Sequence, residues 1–236
     1  MDLQFTKDPA VLKWIRFDLY SPLDVALILA GTVLWCVAYF IIVRNAFKNK
    51  FVDMPIAAGA ANIAWEFVWA FMVVTDMGLL FVYGLRVWFL MDILILYTTF
   101  KYGSKQILNK RLAGAFVWTE PFVLIAWGFL FWFFIKEGYD TSMGATSAYV
   151  ITTIMEFVYI TTFLNHDQKY FSFHVAWTKG VANFLMTLFV FNHYAEGMWF
   201  LKTMTIIVTV LDIIYIVMVA KAKYFSNPRI NQSTQS

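Results

Sequence analysis

Residues 23–43 read LDVALILAGTVLWCVAYFIIV, twenty-one residues whose one charge, Asp24, stands at the edge. A bilayer core about 30 Å thick is crossed by a helix of about 20 apolar residues, so this run reads as a transmembrane helix. The pattern repeats. Six more stretches of similar length follow, at 54–73, 79–100, 114–135, 142–163, 171–191 and 200–219. Of 236 residues, 61% are hydrophobic, 20% aromatic and 14% charged, whereas a soluble domain carries about a quarter charged residues to cover its surface. These features predict an all-α, polytopic membrane protein with seven transmembrane helices in a single domain, 1–236.

The flanks and loops give the orientation. Residues 1–22 hold Lys7, Lys13, Arg16 and three aspartates without an apolar core or a small-residue cleavage site, the pattern of an amphipathic lead-in and not of a signal peptide. Residues 221–236 read as a polar tail. With the N-terminus outside, the inner segments hold eleven Lys and Arg and the outer segments four. Basic residues collect on the cytoplasmic side, so the count predicts N-out/C-in. The net charge of +3 is spread over short loops, which excludes a nucleic-acid partner as the main reading. Cys36 is the single cysteine, so neither an internal disulfide nor a cysteine cage can form. His166, His174 and His193 lie near span ends, Asp-Asp-x-x-Asp and Gly-x-Ser-x-Gly runs are absent, and Lys202 stands at the start of the last span, not in its middle. Diphosphate-magnesium, serine-hydrolase, haem and retinal chemistry are thereby demoted, and no metal or cofactor is expected.

Six ionisable residues fall well inside the spans: Glu66, Arg86, Asp92, Glu156, Lys179 and Asp212. Each costs about 2.5–3.5 kcal/mol to insert, on the order of 15–20 kcal/mol together, more than a typical fold's whole stability. They must be paired, hydrated or protonated. At helical spacing, Gly59, Asn62, Glu66 and Trp69 share a face of span 2, and Trp88, Asp92 and Thr99 share one on span 3. Thr152, Glu156 and Tyr159 align on span 5, Lys179, Asn183 and Thr187 on span 6, and Thr205, Thr209, Asp212 and Tyr215 on span 7. Five helices thus present one polar line, while spans 1 and 4 are nearly free of such groups and are expected to face lipid. For any one residue a structural salt bridge explains the charge as well as a functional site does. For the set it does not, because two cations cannot neutralise four acids. A carboxyl without a counter-charge in low dielectric keeps its proton, and a buried neutral acid is a proton donor. Trp65, Trp69, Trp88 and Trp127 fall in mid-span, outside the interfacial belts where Trp usually concentrates. Ordinary packing accounts for any one of them; together they could line a dry pocket whose ring faces attract a cation.

The stretch Asn62-Ile63-Ala64-Trp65-Glu66-Phe67-Val68-Trp69 resembles the Asn-x-x-Trp-Glu signature on the second span of the small integral-membrane terpene cyclases of fungal meroterpenoid and indole-diterpene biosynthesis and their bacterial relatives. Chain length, span count, the Trp88-to-Asp92 spacing, Glu156 and the mid-span Asp212 are similar too. The resemblance implies a metal-independent enzyme of isomerase or lyase type. It would cyclise a linear polyprenyl chain on an aromatic or indole head by protonating a terminal epoxide or alkene, and end the carbocation cascade by proton loss. It implies Glu66 and Asp212 as catalytic acids, with Asn62, Arg86, Asp92, Glu156, Lys179 and Asn183 as the supporting charge network and Trp65, Trp69, Trp88, Tyr159 and Tyr215 lining the substrate. Its partners would be a hydrophobic prenylated small molecule and the bilayer. Lys179 has no place in the family's pattern. The alternative is a proton-coupled small-solute transporter whose intramembrane carboxylates form a relay; a scaffold role comes third. Oligomeric state is not legible from the sequence.

Overall fold

Ser21 opens the first helix with a reciprocal cap: its Oγ accepts the Asp24 amide at 3.1 Å while Asp24 Oδ2 accepts the Ser21 amide at 2.9 Å, and Pro22 presets the first helical residue. The computed structural model describes residues 13–194 and 196–225, and these contain helices and turns but no strand. In chain order the helices are α1 (Pro22–Asn49), α2 (Ile56–Phe67, continued by a widened turn, Val68–Met72), α3 (Leu79–Tyr102), α4 (Lys110–Lys136), α5 (Ala145–Asn165), α6 (Phe173–His193) and α7 (Trp199–Ala220).

Five helical stretches are long and apolar enough to cross a membrane: Pro22–Asn49, Leu79–Gln106, Lys110–Lys136, Ala145–Asn165 and Trp199–Phe225. Ile56–Met72 is apolar but shorter. Helix α6 is long enough, yet it buries Thr178, Lys179, Asn183 and Thr187 and is not among the five. Seven apolar segments of spanning length were expected; two of the helices, α2 and α6, are not among these five. For α6 the reason is packing, since it lies against α1 and α7 and need not offer lipid an apolar surface all round.

The helices pair in a closed order, α2 with α3, α3 with α1, α1 with α6, α6 with α7, α7 with α5 and α5 with α2, while α4 packs on α2 from outside this ring. Val117, Trp118, Phe122 and Phe129 of α4 are exposed, as a lipid-facing helix requires. The expectation that spans 1 and 4 face lipid therefore fits much of α4 and the outer face of α1, where Val33, Val37 and Phe40 are exposed, while the inner face of α1 forms ring wall between α3 and α6. Even α4 carries a buried acid, Glu120, that the count of intramembrane charges omitted.

At one end of the ring the carbonyls of Lys13 and Trp14 accept the Leu79 and Leu80 amides at 3.0 and 3.1 Å, satisfying donors that the start of α3 cannot bond internally. Tyr20 Oη and Ser142 Oγ both donate to Asp76 at 2.6 Å. The N-terminal lead-in, so far as it is described, thus includes a turn that caps α3; residues 1–12, and the tail from 226 on, lie outside the described residues. At the other end, Gln106 bonds both backbone groups of Val52, and Asp53 accepts the Ser172 amide at 3.2 Å. Burial of Asp53 in this loop pushes its carboxyl up to about 7.

Candidate active site

Asn62 and Glu66, one turn apart on α2, meet α1 and α3 in a first polar cluster. Asn62 Nδ2 lies 3.1 Å from Glu66 Oε1, 2.7 Å from Asp92 Oδ2 and 2.6 Å from Tyr39 Oη, and Tyr39 Oη donates to Glu66 Oε1 at 3.0 Å. Glu66 and Asp92 are each 2% exposed. Among the described residues no Lys, Arg or His forms a salt bridge with either acid, no donor reaches Glu66 Oε2 or Asp92 Oδ1, and the two carboxyls lie in hydrogen-bond contact with each other.

A second cluster joins α5, α6 and α7. Lys179 Nζ donates to Glu156 Oε2 and, at 2.7 Å, to Asp212 Oδ1, while Asn183 Nδ2 donates to Asp212 Oδ2 at 2.8 Å. The rings of Tyr159 and Tyr215 lie 4.8 and 5.4 Å from the ammonium. Two carboxyls and one cation are thus sealed together, a costly arrangement unless each polar atom is well engaged. Gly180 eases it: a Cβ there would stand 2.7 Å from Ile216 Cδ1, which would have to turn aside, and 3.4 Å from Asp212 Cβ.

Trp35 links the two clusters. Its Nε1 donates to Asn183 Oδ1 at 3.1 Å, and its ring meets Tyr39 edge-on with centroids 5.5 Å apart. Between the clusters opens a cavity whose polar border includes Tyr39, Asn62, Glu66 and Asn183 and whose walls include Trp35, Trp65, Trp88, Phe81, Phe189 and Met155. Trp65 is oriented from the ring's end: its Nε1 donates to Ser147 Oγ at 2.7 Å, and Ser147 donates to Asp140. Burial pushes the Asp140 carboxyl up, against the pull of hydrogen bonds from Ser147 and from the Thr141 and Thr146 amides. Gly144 has φ +82°, and a Cβ there would fall 2.5 Å from the Trp69 ring and 2.9 Å from that of Trp65. Its missing side chain lets both indoles lie against the start of α5.

The single polar line of the sequence reading is therefore two clusters. Asn62, Glu66, Asn183, Trp65 and Trp88 border the cavity; Asp92, Glu156, Lys179 and Asp212 stand behind that border. Arg86 joins neither cluster: its Nε donates to the Ala70 carbonyl at 3.3 Å, and its guanidinium lies 5.8 and 5.6 Å from the Phe71 and Tyr83 rings. The widened turn at the end of α2 offers carbonyls to a donor, and α3 places Arg86 within reach of one. Tyr159 and Tyr215 do not border the cavity, and the cation they cover is Lys179; Trp69 is buried behind Trp65. Sequence reasoning missed Tyr39 and Trp35, whose one signal was their four-residue spacing in mid-span, and missed Asp140. Among the described residues no three His, Cys, Asp or Glu side chains come together as a metal-ligand set.

A family model described as Pyr4-like transmembrane terpene cyclases matches residues 16–224. The Pyr4-family terpene cyclase mfmH of Annulohypoxylon moriforme is 31% identical over 127 residues, which cover 53% of this chain and 51% of that protein. The terpene cyclase ascF of Acremonium egyptiacum is 33% identical over 84 residues, covering 36% of this chain and 30% of that one. The terpene cyclase macJ of Penicillium terrestre is 31% identical over 90 residues, with 36% and 34% covered. The matched segments thus span about half or less of these relatives' lengths. No solved structure matches the chain. The family resemblance noted at Asn62–Trp69 and the multi-pass membrane location are borne out: this chain belongs to the Pyr4-like transmembrane terpene cyclases.

Proposed function

We propose that the protein is a membrane terpene cyclase that folds up a linear polyprenyl chain, carried on an aromatic or indole head, by Brønsted-acid protonation of its terminal epoxide or alkene, with no metal required. The observation that carries this reading is Glu66: a buried carboxyl bordering an aromatic cavity, with Oε1 held by Tyr39 and Asn62, no donor at Oε2, and the Asp92 carboxyl against it. Glu66 and Asp92 share the Asn62 amide with no cation bound to either, so the pair retains at least one proton. That proton passes to the substrate's epoxide oxygen or alkene carbon. The C–O bond or π pair breaks, successive alkene π pairs become ring σ bonds, and the last cation loses a proton, leaving an isomer of the substrate. The carboxylate left at Glu66 is received by donors already in place. Trp35, Trp65 and Trp88 offer ring faces to the moving cation and no nucleophile to trap it.

Asp212 acts from behind. The Lys179 triad fixes its carboxylate, which in turn holds Asn183 at the cavity border. Its part in this proposal is that of a second acid which positions and balances charge. The proposal includes seven spans with N-out/C-in orientation, in which α2 and α6 cross as members of the ring. A proton-coupled transporter would need a polar path to both faces; walls of Trp, Phe and Met favour an isoprenoid pocket instead.

The test is co-expression of wild type, Glu66→Gln and Asp212→Asn with farnesylated and geranylgeranylated phenols and indoles, with and without terminal epoxides, read by mass spectrometry and NMR. A cyclised isomer of unchanged mass, lost in Glu66→Gln protein that still inserts, is the expected result. Full activity in Glu66→Gln would remove Glu66 as the donor.

A further inference from the structure

A second compartment adjoins the acid cavity. It lies between α1 and α3 and shares Ile28, Phe81 and Trp88 with the acid cavity as common wall. Trp88 divides the two, its Nε1 held 3.0 Å from Cys36 Sγ. Leu29 and Leu80, on the compartment's rim, are 40% and 38% exposed, so the compartment reaches the lipid side of the ring. Its lining is nearly all apolar, with one feature that apolar packing does not explain: Thr32 borders it, and the Thr32 hydroxyl is buried without a hydrogen-bond partner among the described residues. A buried hydroxyl left unpaired is costly, and a ligand oxygen or nitrogen would relieve it. The same wall holds Gly84, where an added Cβ would meet no atom within 4 Å. The structure tolerates bulk there, and that bulk would enter the compartment.

We infer that the two compartments form one bipartite substrate site, in which the acid cavity takes the reacting end of the isoprenoid and the α1–α3 compartment takes the unreacting remainder, with Thr32 bonding a polar group on it. The inference rests on the cyclase reading and deepens it. The substrate class is an amphipathic molecule long enough to reach both compartments, entering sideways from the bilayer and bearing a hydrogen-bonding group beyond its chain. Trp88 then sets how much of the chain reaches Glu66.

The experiment uses the full chain in lipid nanodiscs and two photoreactive farnesylated phenols, one with a diazirine on the ring and one with a diazirine at the chain terminus, with labelled peptides mapped by mass spectrometry. The expected result is that the ring probe labels peptides containing Thr32 or Gly84 and the terminal probe labels peptides containing Glu66 or Met155. Gly84→Leu and Gly84→Phe should lower ring-probe labelling at Thr32 at least tenfold, and Gly84→Ala much less. Thr32→Val should weaken ring-probe labelling several-fold, and a methyl ether of the phenol that still accepts a hydrogen bond should retain part of it. Both probes labelling the acid cavity alone, or labelling by the ring probe that Gly84→Phe leaves unchanged, would overturn the inference. Turnover by wild type and Glu66→Gln is measured on the same preparations. Bipartite labelling without turnover sinks the cyclase reading and keeps the bipartite site, whereas turnover with labelling in one compartment does the reverse.

Discussion

Glu66 has Oε1 held by two donors and no donor at Oε2, and its carboxyl lies against that of Asp92, so the pair itself must supply the proton that a general acid gives up. Glu66→Gln is expected to lower turnover by about 10²–10⁴-fold, the usual worth of a general acid, with expression and insertion intact; product formation per milligram of protein checks it. Tyr39→Phe removes one of the donors to Oε1 and should lower kcat by about tenfold with KM little changed, since the lost bond strengthens as charge develops. Lys179 poses the opposite case. Lys179→Met leaves Glu156 and Asp212 facing each other without a counter-charge, an expected loss of about 3–5 kcal/mol. Adding Glu156→Gln and Asp212→Asn to it should restore much of that stability, measured as Tm in detergent; no recovery would mean that the triad is not the source of the loss. These acids were legible in the sequence because a charge in an apolar run cannot be ordinary. Tyr39 and Trp35 were not, because aromatic residues are common in membrane helices and only packing decides which of them turn inward.

Two close approaches between elements set the geometry of the site. At Gly180 the α6–α7 contact sets a Cβ against Ile216 and Asp212; Gly180→Leu should cost about 1–3 kcal/mol through overpacking and pull Asp212 away from Lys179 and Asn183. At Gly144 the positive φ alone costs an L-residue about 1–2 kcal/mol, and the Trp65 and Trp69 rings add a clash, so Gly144→Ala should lower Tm and shift Trp fluorescence. Pairing Gly180→Leu with Asp212→Asn tests whether the first acts through the acid: if it does, the two losses of activity are less than additive. Span positions were readable because hydrophobic length maps onto bilayer thickness. The displaced role of Arg86 was not, since a guanidinium pairs with whatever acceptor the neighbouring helix brings near, and here that is a carbonyl at the widened end of α2.

Over the whole molecule, the proposed topology predicts that cysteines at Lys50 and Tyr139, both exposed at opposite ends of the ring, are labelled from opposite sides in a Cys36→Ala background, Tyr139→Cys from outside. Asp53 gives a pH dependence of known sign. Its carboxyl, pushed up to about 7 in the fold by burial, titrates near 4 when unfolded. Between those values the folded state holds the extra proton, so stability falls as pH rises through the window, by up to about 1.4 kcal/mol per pH unit. Thermal unfolding in detergent from pH 4 to 8 should show this slope for wild type and a flatter one for Asp53→Asn. The sequence by itself determined that the chain is helical and lies in the membrane, and that its carboxyls outnumber the cations available to them, because hydrophobic length and charge are additive properties of a chain. Only the tertiary structure decided how those acids divide. Which carboxyl meets an amide and a phenol at a cavity, and which is locked to a lysine behind it, depends on the order in which helices pack around the ring, and that order is set by close contacts such as those at Gly180 and Gly144 that no pattern of polarity records.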